Sequence, residues 1–416
     1  MQFTRADLKS PRQHFLTAGA LLWAALAVRP AHAQLEATAT ASAAFEHNSN
    51  VFALADSTPT PAPYAGAAKG SSVTTLGAGL QPTYRWSRQR LNLDFRASEV
   101  RYGAFEALNH NELRGSADWL WELGTLLDGN LGVSRERRMV PFSDLQTTEL
   151  VIETDSRATG TLNFQIDRHW RLETGAMTRR TDAPRKGLPS LSLRESYYSA
   201  AIKFSEQGDV FVGLLADRYN GQFSGTTGLI AGSTDGIVDY HRTTAHLVAE
   251  RKISKDDLVH GEIGYTQTDS GTSIHHPGEL TGALAYLRDL TGKTSVNLKA
   301  SREVVANVSN ASQEVASIGE LGLQWHATGK IDVTVAGRFS HSTFPGWSLV
   351  NDGLGTSPPG LIRSDSARGL TAQIVYSILS RLSLSPYVKL QRRQSNIDSY
   401  SYNDSIYGFE IKGTVP

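Results

Sequence analysis

Alternation of apolar and polar residues, held for about ten positions at a time and repeated along the chain, is the feature that most limits how these residues can fold. Leu35, Ala37, Ala39, Ala41, Ala43 and Phe45 alternate with Glu36, Thr38, Thr40 and Ser42. Leu91, Leu93, Phe95 and Ala97 alternate with Asn92, Asp94, Arg96 and Ser98, and Ile331, Val333, Val335, Gly337 and Phe339 with Asp332, Thr334 and Arg338. Successive residues of a strand point to opposite faces, so each run has one apolar and one polar side. A soluble sandwich uses strands of about 5–6 residues, whereas a strand that crosses a bilayer needs about 9–11. Eighteen runs of the longer kind are present, centred near residues 40, 80, 95, 117, 130, 162, 174, 200, 213, 245, 262, 284, 298, 320, 335, 373, 387 and 407. The two faces are hardest to separate near 284 and 407.

The connections alternate in length. Short polar turns fall at 87–89, 124, 167–169, 205–209, 253–257, 289–293, 327–330 and 379–381. Long stretches lie between them at 53–71, 101–111, 136–155, 180–194, 220–237, 266–278, 303–313, 340–366 and 392–400. Outer-membrane barrels have short periplasmic turns and long extracellular loops, and an even strand number brings both ends of the sheet to the periplasmic side. Aromatic residues agree: Trp86, Trp119, Trp121, Trp170 and Trp325 sit at strand ends beside short turns, with Tyr84, Phe204 and Tyr376 in equivalent places. Such rings favour the membrane–water interface, where the apolar body and the polar edge are both satisfied. The expected fold is all-β: a transmembrane antiparallel outer-membrane β-barrel of about 18 strands.

Residues 1–33 read as a secretory signal peptide. Arg5, Lys9 and Arg12 precede an apolar stretch from Phe15 to Val28, and Ala31-His32-Ala33 is a small-x-small cleavage site. The apolar run is too short for a membrane helix. Residues 34–416 are then a single exported barrel. The full chain balances 41 basic against 41 acidic residues. Without Arg5, Lys9, Arg12, Arg29 and Asp7 it keeps 37 basic and 40 acidic residues, a net charge of −3. That balance speaks against a nucleic-acid partner. Cysteine is absent, which excludes disulfides, thiolate metal sites and thiol catalysis.

No enzyme is expected, and neither a metal nor a cofactor. His275-His276 lies in a Gly/Thr/Ser-rich loop, where neighbouring side chains diverge. Residues 232–236 are turn chemistry without nucleophile-elbow spacing. Asp269-Ser270 and Asp365-Ser366 read as loop residues with no adjacent His. His246 and His260 fall on polar faces near Glu250 and Glu262, an arrangement that suits a solvated, ion-paired wall.

An eighteen-stranded barrel is wide enough to keep an aqueous lumen. The polar faces would line it with Arg96, Arg114, Arg157, Arg171, Lys203, Arg242, Lys299, Arg338 and Lys389, opposed by Asp94, Glu112, Asp118, Glu173 and Glu262 among others. A mixed-sign wall creates no steep field and suits a neutral or weakly charged solute. Loop 340–366, with Pro345, Trp347, Pro358 and Pro359, is the expected plug. Basic residues gather towards the long-loop end: Arg101, Arg135, Arg137, Arg138, Arg179, Arg180, Arg185, Arg194, Arg363, Arg392 and Arg393. They suit contact with lipopolysaccharide phosphate or, alternatively, an acidic polysaccharide.

The first run closes on Phe45-Glu46-His47-Asn48-Ser49-Asn50-Val51-Phe52 and then enters a long loop. This resembles the start of the outer-membrane β-barrels associated with exopolysaccharide biosynthesis (the EpsL type), in which a strand ends on an acidic and Asn-rich turn followed by Asn-Val-Phe or Asn-Leu-Phe. Asn50, Val51 and Phe52 match; His47 and Ser49 replace residues that are usually acidic. The resemblance implies a role in passing polysaccharide across the outer membrane, with periplasmic and inner-membrane export proteins as partners. A diffusion porin for small solutes and a surface receptor or adhesion scaffold are the alternatives.

Overall fold

The computed structural model describes residues 34–60, 62–145, 148–186, 188–206, 210–224, 237–252, 257–270, 278–307, 312–344 and 362–415. The expected signal peptide at 1–33, the His275-His276 pair, the 232–236 turn and most of loop 340–366 lie outside them.

Eighteen strands form one sheet: β1 Gln34–Asn48, β2 Ser71–Trp86, β3 Gln89–Tyr102, β4 His110–Leu123, β5 Leu127–Met139, β6 Ile152–Gln165, β7 Trp170–Arg185, β8 Leu188–Phe204 and β9 Val210–Ser224, then β10 Ile237–Lys252, β11 Leu258–Ser270, β12 Glu279–Thr291, β13 Thr294–Asn307, β14 Ser312–Thr328, β15 Ile331–Phe344, β16 Arg363–Leu379, β17 Leu382–Ser395 and β18 Tyr402–Val415. Each pairs antiparallel with its neighbours in sequence, and β1 pairs with β18, with Phe45 opposite Phe409, so the sheet closes without an edge. All eighteen expected runs lie within strands. At 13 to 17 residues, however, the strands are longer than the runs. Residues read as loop continue the ladder above the apolar band, where water replaces lipid and the apolar–polar contrast fades. Asp269 and Asp365, expected in loops, accordingly belong to β11 and β16.

The apolar face of the sheet points outward. Leu35, Leu80, Phe95, Leu131, Leu214, Leu284, Leu321 and Ile374 are all exposed on it, the inverse of a soluble core. Such a surface is stable only against lipid, and a closed barrel satisfies every backbone group while presenting it. Directly paired residues climb as the sheet is followed round. From Leu35 at the foot of β1 the partners run through Tyr84, Leu91, Trp119, Leu131, Gly160, Ala176, Tyr198, Arg218 and Thr243 to Gln267 in the upper part of β11. That climb is the shear that tilts the strands of a barrel.

Short turns close the lower end. Gly124 adopts a positive φ of 68° in the β4–β5 turn, and its carbonyl accepts a hydrogen bond from Arg88 of the neighbouring turn. Trp86 and Trp119 stack outside these turns with ring centres 6.5 Å apart, and the Trp119 indole N–H donates to Gln89. Trp121 lies over Gly129, whose missing side chain leaves room for the ring. Trp170 meets Phe204 at 5.0 Å, and Trp325 and Tyr376 are exposed on the same outward face.

Candidate functional site

The register places all fourteen charged residues named for the lumen on the inward face, opposite the apolar one. Arg96 faces Arg114, which faces Glu136; Arg157 faces Arg179; Arg171 faces Lys203; Lys299 faces Glu320, which faces Arg338. Many are tied to a neighbour. Arg96 contacts Asp94 at 2.7 Å, and Gln81 donates to the same carboxylate. Arg338 pairs with Glu320, and Glu112 with His110 at 3.3 Å. Lys389 lies 5.0 Å from the Tyr387 ring, whose hydroxyl donates to Glu46. Asp118 lies beside Gly132 on the next strand.

A continuous charged belt crosses β7 to β11. Arg171 contacts Glu173 at 3.2 Å, and Glu173 accepts from Lys203 at 2.9 Å. Lys203 is 3.7 Å from Glu250; His260 is 3.9 Å from Glu250 and 3.8 Å from Glu262. His246 leaves this belt for Asp217, at 2.8 Å. The two share an inner face but sit diagonally across β9 and β10, a partnership that only the register reveals.

Above the belt the wall turns aromatic. Tyr197 and Tyr219 stand 4.4 Å apart on β8 and β9. The Arg242 guanidinium rests 3.8 Å from the Tyr219 ring and donates to the Val304 carbonyl, so this residue is engaged within the wall. Together with Asp217, His246, Glu262 and Thr266, these residues line a cavity of about 270 Å³ that opens inward.

The upper mouth is partly filled by loops, which periodicity could not foretell. Val51 and Phe52 enter a cluster with Phe105, Leu108 and Phe142. The cluster rests on Val73, Val100 and Tyr102, residues of the inward face of β2 and β3. Phe52 is central, with ring centres 4.8 Å from Phe105, 4.9 Å from Phe142 and 5.5 Å from Tyr64. Asn50 fixes the entry of the chain: its side-chain amide donates to the carbonyls of Leu54 and Asn403, and its amide oxygen accepts from the Leu54 N–H. The Asn50-Val51-Phe52 motif thus ties loop 49–70 to β18 and seats it over the lumen.

A second plug element stands beside it. Arg363, only 1% exposed, lies between the rings of Phe344 and Tyr400 at 4.4 and 3.6 Å and contacts Asp365 at 2.5 Å. Arg393 donates to the carbonyls of Tyr400 and Ser143, joining loops 396–401 and 140–151. Arg363 and Arg393 are therefore internal struts rather than members of an exposed basic rim. Arg138 and Arg179 also turn inward, to Glu153 and Asp155. Arg101, Arg135, Arg137, Arg180, Arg194 and Arg392 are exposed and outward-facing.

No family model matches the chain, and no curated protein matches it. Solved structures do. The siderophore receptor PirA from Pseudomonas aeruginosa is 8% identical, with a TM-score of 0.48 over 91% of this chain and 80% of that one. OpdQ from the same organism is 11% identical, with a TM-score of 0.45 over 92% and 98%. The alcaligin outer-membrane receptor FauA from Bordetella pertussis is 10% identical, with a TM-score of 0.41 over 93% and 77%. At such identities the likeness is one of fold alone. The closed eighteen-stranded sheet, its lipid-facing apolar wall and its charged interior make this chain an outer-membrane β-barrel of a Gram-negative bacterium.

Proposed function

We propose that the barrel is a conduit for carbohydrate chains and serves exopolysaccharide secretion. One observation carries the reading: an inward belt from Arg171 to Glu262 in which carboxylates and cations alternate within 4 Å of one another, crowned by the Tyr197–Tyr219 pair. Paired charges give many donors and acceptors but little net field, which suits a hydroxyl-rich and weakly charged ligand. Aromatic side chains beside them offer apolar faces to sugar rings. The Asn50-Val51-Phe52 resemblance supports the same role, with periplasmic and inner-membrane export proteins as partners.

The loops seated in the upper mouth favour a second reading, a diffusion porin for small solutes, because a narrowed entrance passes a small molecule more readily than a polymer. Planar-bilayer recordings separate the two. A secretion conduit is expected to show currents that oligosaccharides block in a length-dependent way, and deletion of the gene should lower secreted polymer. Large currents indifferent to oligosaccharide, with polymer secretion unchanged in the deletion strain, would sink the secretion reading. Loss of cell or phage attachment with secretion intact would instead mark a surface receptor.

A further inference from the structure

We propose that the outward face of β5 to β9 carries a binding site for the phosphates of lipopolysaccharide, built from Arg135, Arg137, Arg180, Arg194 and Arg218. The argument begins with adjacent residues. Arg135-Glu136, Arg194-Glu195 and Asp217-Arg218 are each a cation beside a carboxylate in sequence. Alternation along a strand sends the two members of each pair to opposite sides of the wall. The outward set, by register, is the arginines: Arg135 shares its face with Val133, Arg194 with Tyr198, and Arg218 with Leu214. The carboxylates go to the lumen side, where Glu195 accepts from Tyr240 and Asp217 pairs with His246. Charges that could cancel are thereby held apart.

On the outward face of these five strands the only carboxylate among the described residues is Asp182, which Arg180 contacts at 2.7 Å. Among the described residues Arg135, Arg137 and Arg194 make no ion pair, and Arg218 donates only to Asn220. Arg180 and Arg194 stand directly opposite each other across β7 and β8. Like charges in that position destabilise a sheet unless an anion lies between them. Among outward arginines elsewhere, Arg101 contacts Glu99 and Arg302 contacts Glu279, both at 2.7 Å, whereas Arg368 and Arg392 face each other across β16 and β17 without an ion pair among the described residues.

The position of the patch selects the ligand. Directly below it on the same face lie Leu131, Val133, Tyr198, Ile202 and Leu214, all exposed to the acyl layer. A molecule that satisfies both levels is an amphiphile with anionic oxygens at the head of its acyl chains. Guanidinium groups bind phosphate bidentately, and several together hold a diphosphorylated headgroup.

The test uses the whole barrel in detergent and purified lipopolysaccharide as the probe, with binding read by surface plasmon resonance. The R135Q/R137Q/R194Q/R218Q variant should bind about tenfold more weakly or worse, the equivalent of losing one or two charge-assisted hydrogen bonds. An R101Q/R302Q variant should stay within about twofold of the parent, since its targets are already paired. Lipopolysaccharide stripped of phosphate should bind the unaltered protein as weakly as the native lipid binds the fourfold variant. That arm needs no mutant and decides the question if the variant fails to fold. Equal binding of native and dephosphorylated lipid, or a heat-modifiable fourfold variant that binds like the parent, overturns the proposal. So does displacement of the lipid by millimolar inorganic phosphate, which would mark a site for the free ion.

Discussion

Tyr240 reaches across Gly221 to donate its hydroxyl hydrogen to Glu195 at 2.6 Å, spanning three strands with one side chain. Gly221 makes this possible, because a Cβ there would overlap the tyrosine ring. Both partners are buried near the upper mouth. Tyr240→Phe leaves the carboxylate without its donor and should cost about 1–3 kcal/mol. Gly221→Val evicts the ring and should cost more. Urea unfolding in vesicles, followed by tryptophan fluorescence, checks both; equal stability of Tyr240→Phe and parent would show that the bond contributes nothing.

Phe52 holds the loop cluster rather than the barrel wall. Truncating a buried Phe to Ala costs about 3–5 kcal/mol where it packs. Phe52→Ala should therefore release loop 49–70, raising single-channel conductance and its noise while the barrel keeps its heat-modifiable gel shift. Unchanged conductance would mean that this loop does not narrow the path.

Asp365 depends on Arg363 in a setting nearly closed to water. Arg363→Ala leaves this buried carboxylate to the more distant Arg393, 4.0 Å away, and should destabilise the mouth by up to about 3–5 kcal/mol. The Arg363→Met/Asp365→Leu double variant removes both charges and should recover most of that loss. Limited proteolysis of loop 396–401 reads the difference, since Tyr400 of that loop packs on Arg363 at 3.6 Å.

Lys203 is the cation between Glu173 and Glu250 in the lumen belt. Lys203→Glu places three carboxylates together and should shift the reversal potential in a salt gradient towards cation selectivity. An unmoved reversal potential would place the conducting path away from β7 to β10.

Asp167, in the short turn between β6 and β7, accepts hydrogen bonds from the backbone N–H groups of His169 and Trp170 at 2.7 and 2.9 Å. These bonds hold its carboxyl below the usual aspartate range. A carboxyl lowered on folding contributes its stability above the unfolded pKa, and the contribution fades as pH falls through the folded value. Carboxyl-carbon NMR should find Asp167 titrating below about 3.9, the ordinary value, and an Asp167→Asn variant should lose the acid-side dependence of local order in this turn.

Much of the barrel could be read from sequence because lipid and water impose opposite demands on the two faces of every strand. The reading blurs where those demands relax. Near 284 the inward residues Ala283, Ala285 and Leu287 are as apolar as the outward Leu280 and Leu284, and Ala285 stands directly between His260 and Lys299 of the neighbouring strands. Near 407, inward Ile406 sits beside outward Tyr407. At the upper mouth the rule inverts: Leu191 and Leu193 face inward and are buried, Leu191 together with Val140, Val151 and Ala183. The loop cluster had no periodic signal at all. Phe52, Phe105 and Phe142 lie in three different loops, and only isolated large apolar residues in otherwise polar stretches marked them.

The β1–β18 seam, with Ala39 opposite Val415 and Phe45 opposite Phe409, joins the strands most distant in sequence. Every other neighbouring pair can zip locally, through a hairpin or a single loop, but this one must wait for all of them. Until it forms, the sheet has two unpaired edges and an apolar face, a combination that invites aggregation. Assembly is therefore gated by a long-range closure, the slowest kind of contact to make. Substitutions along the seam should change how much protein reaches the membrane far more than how stable it is once there.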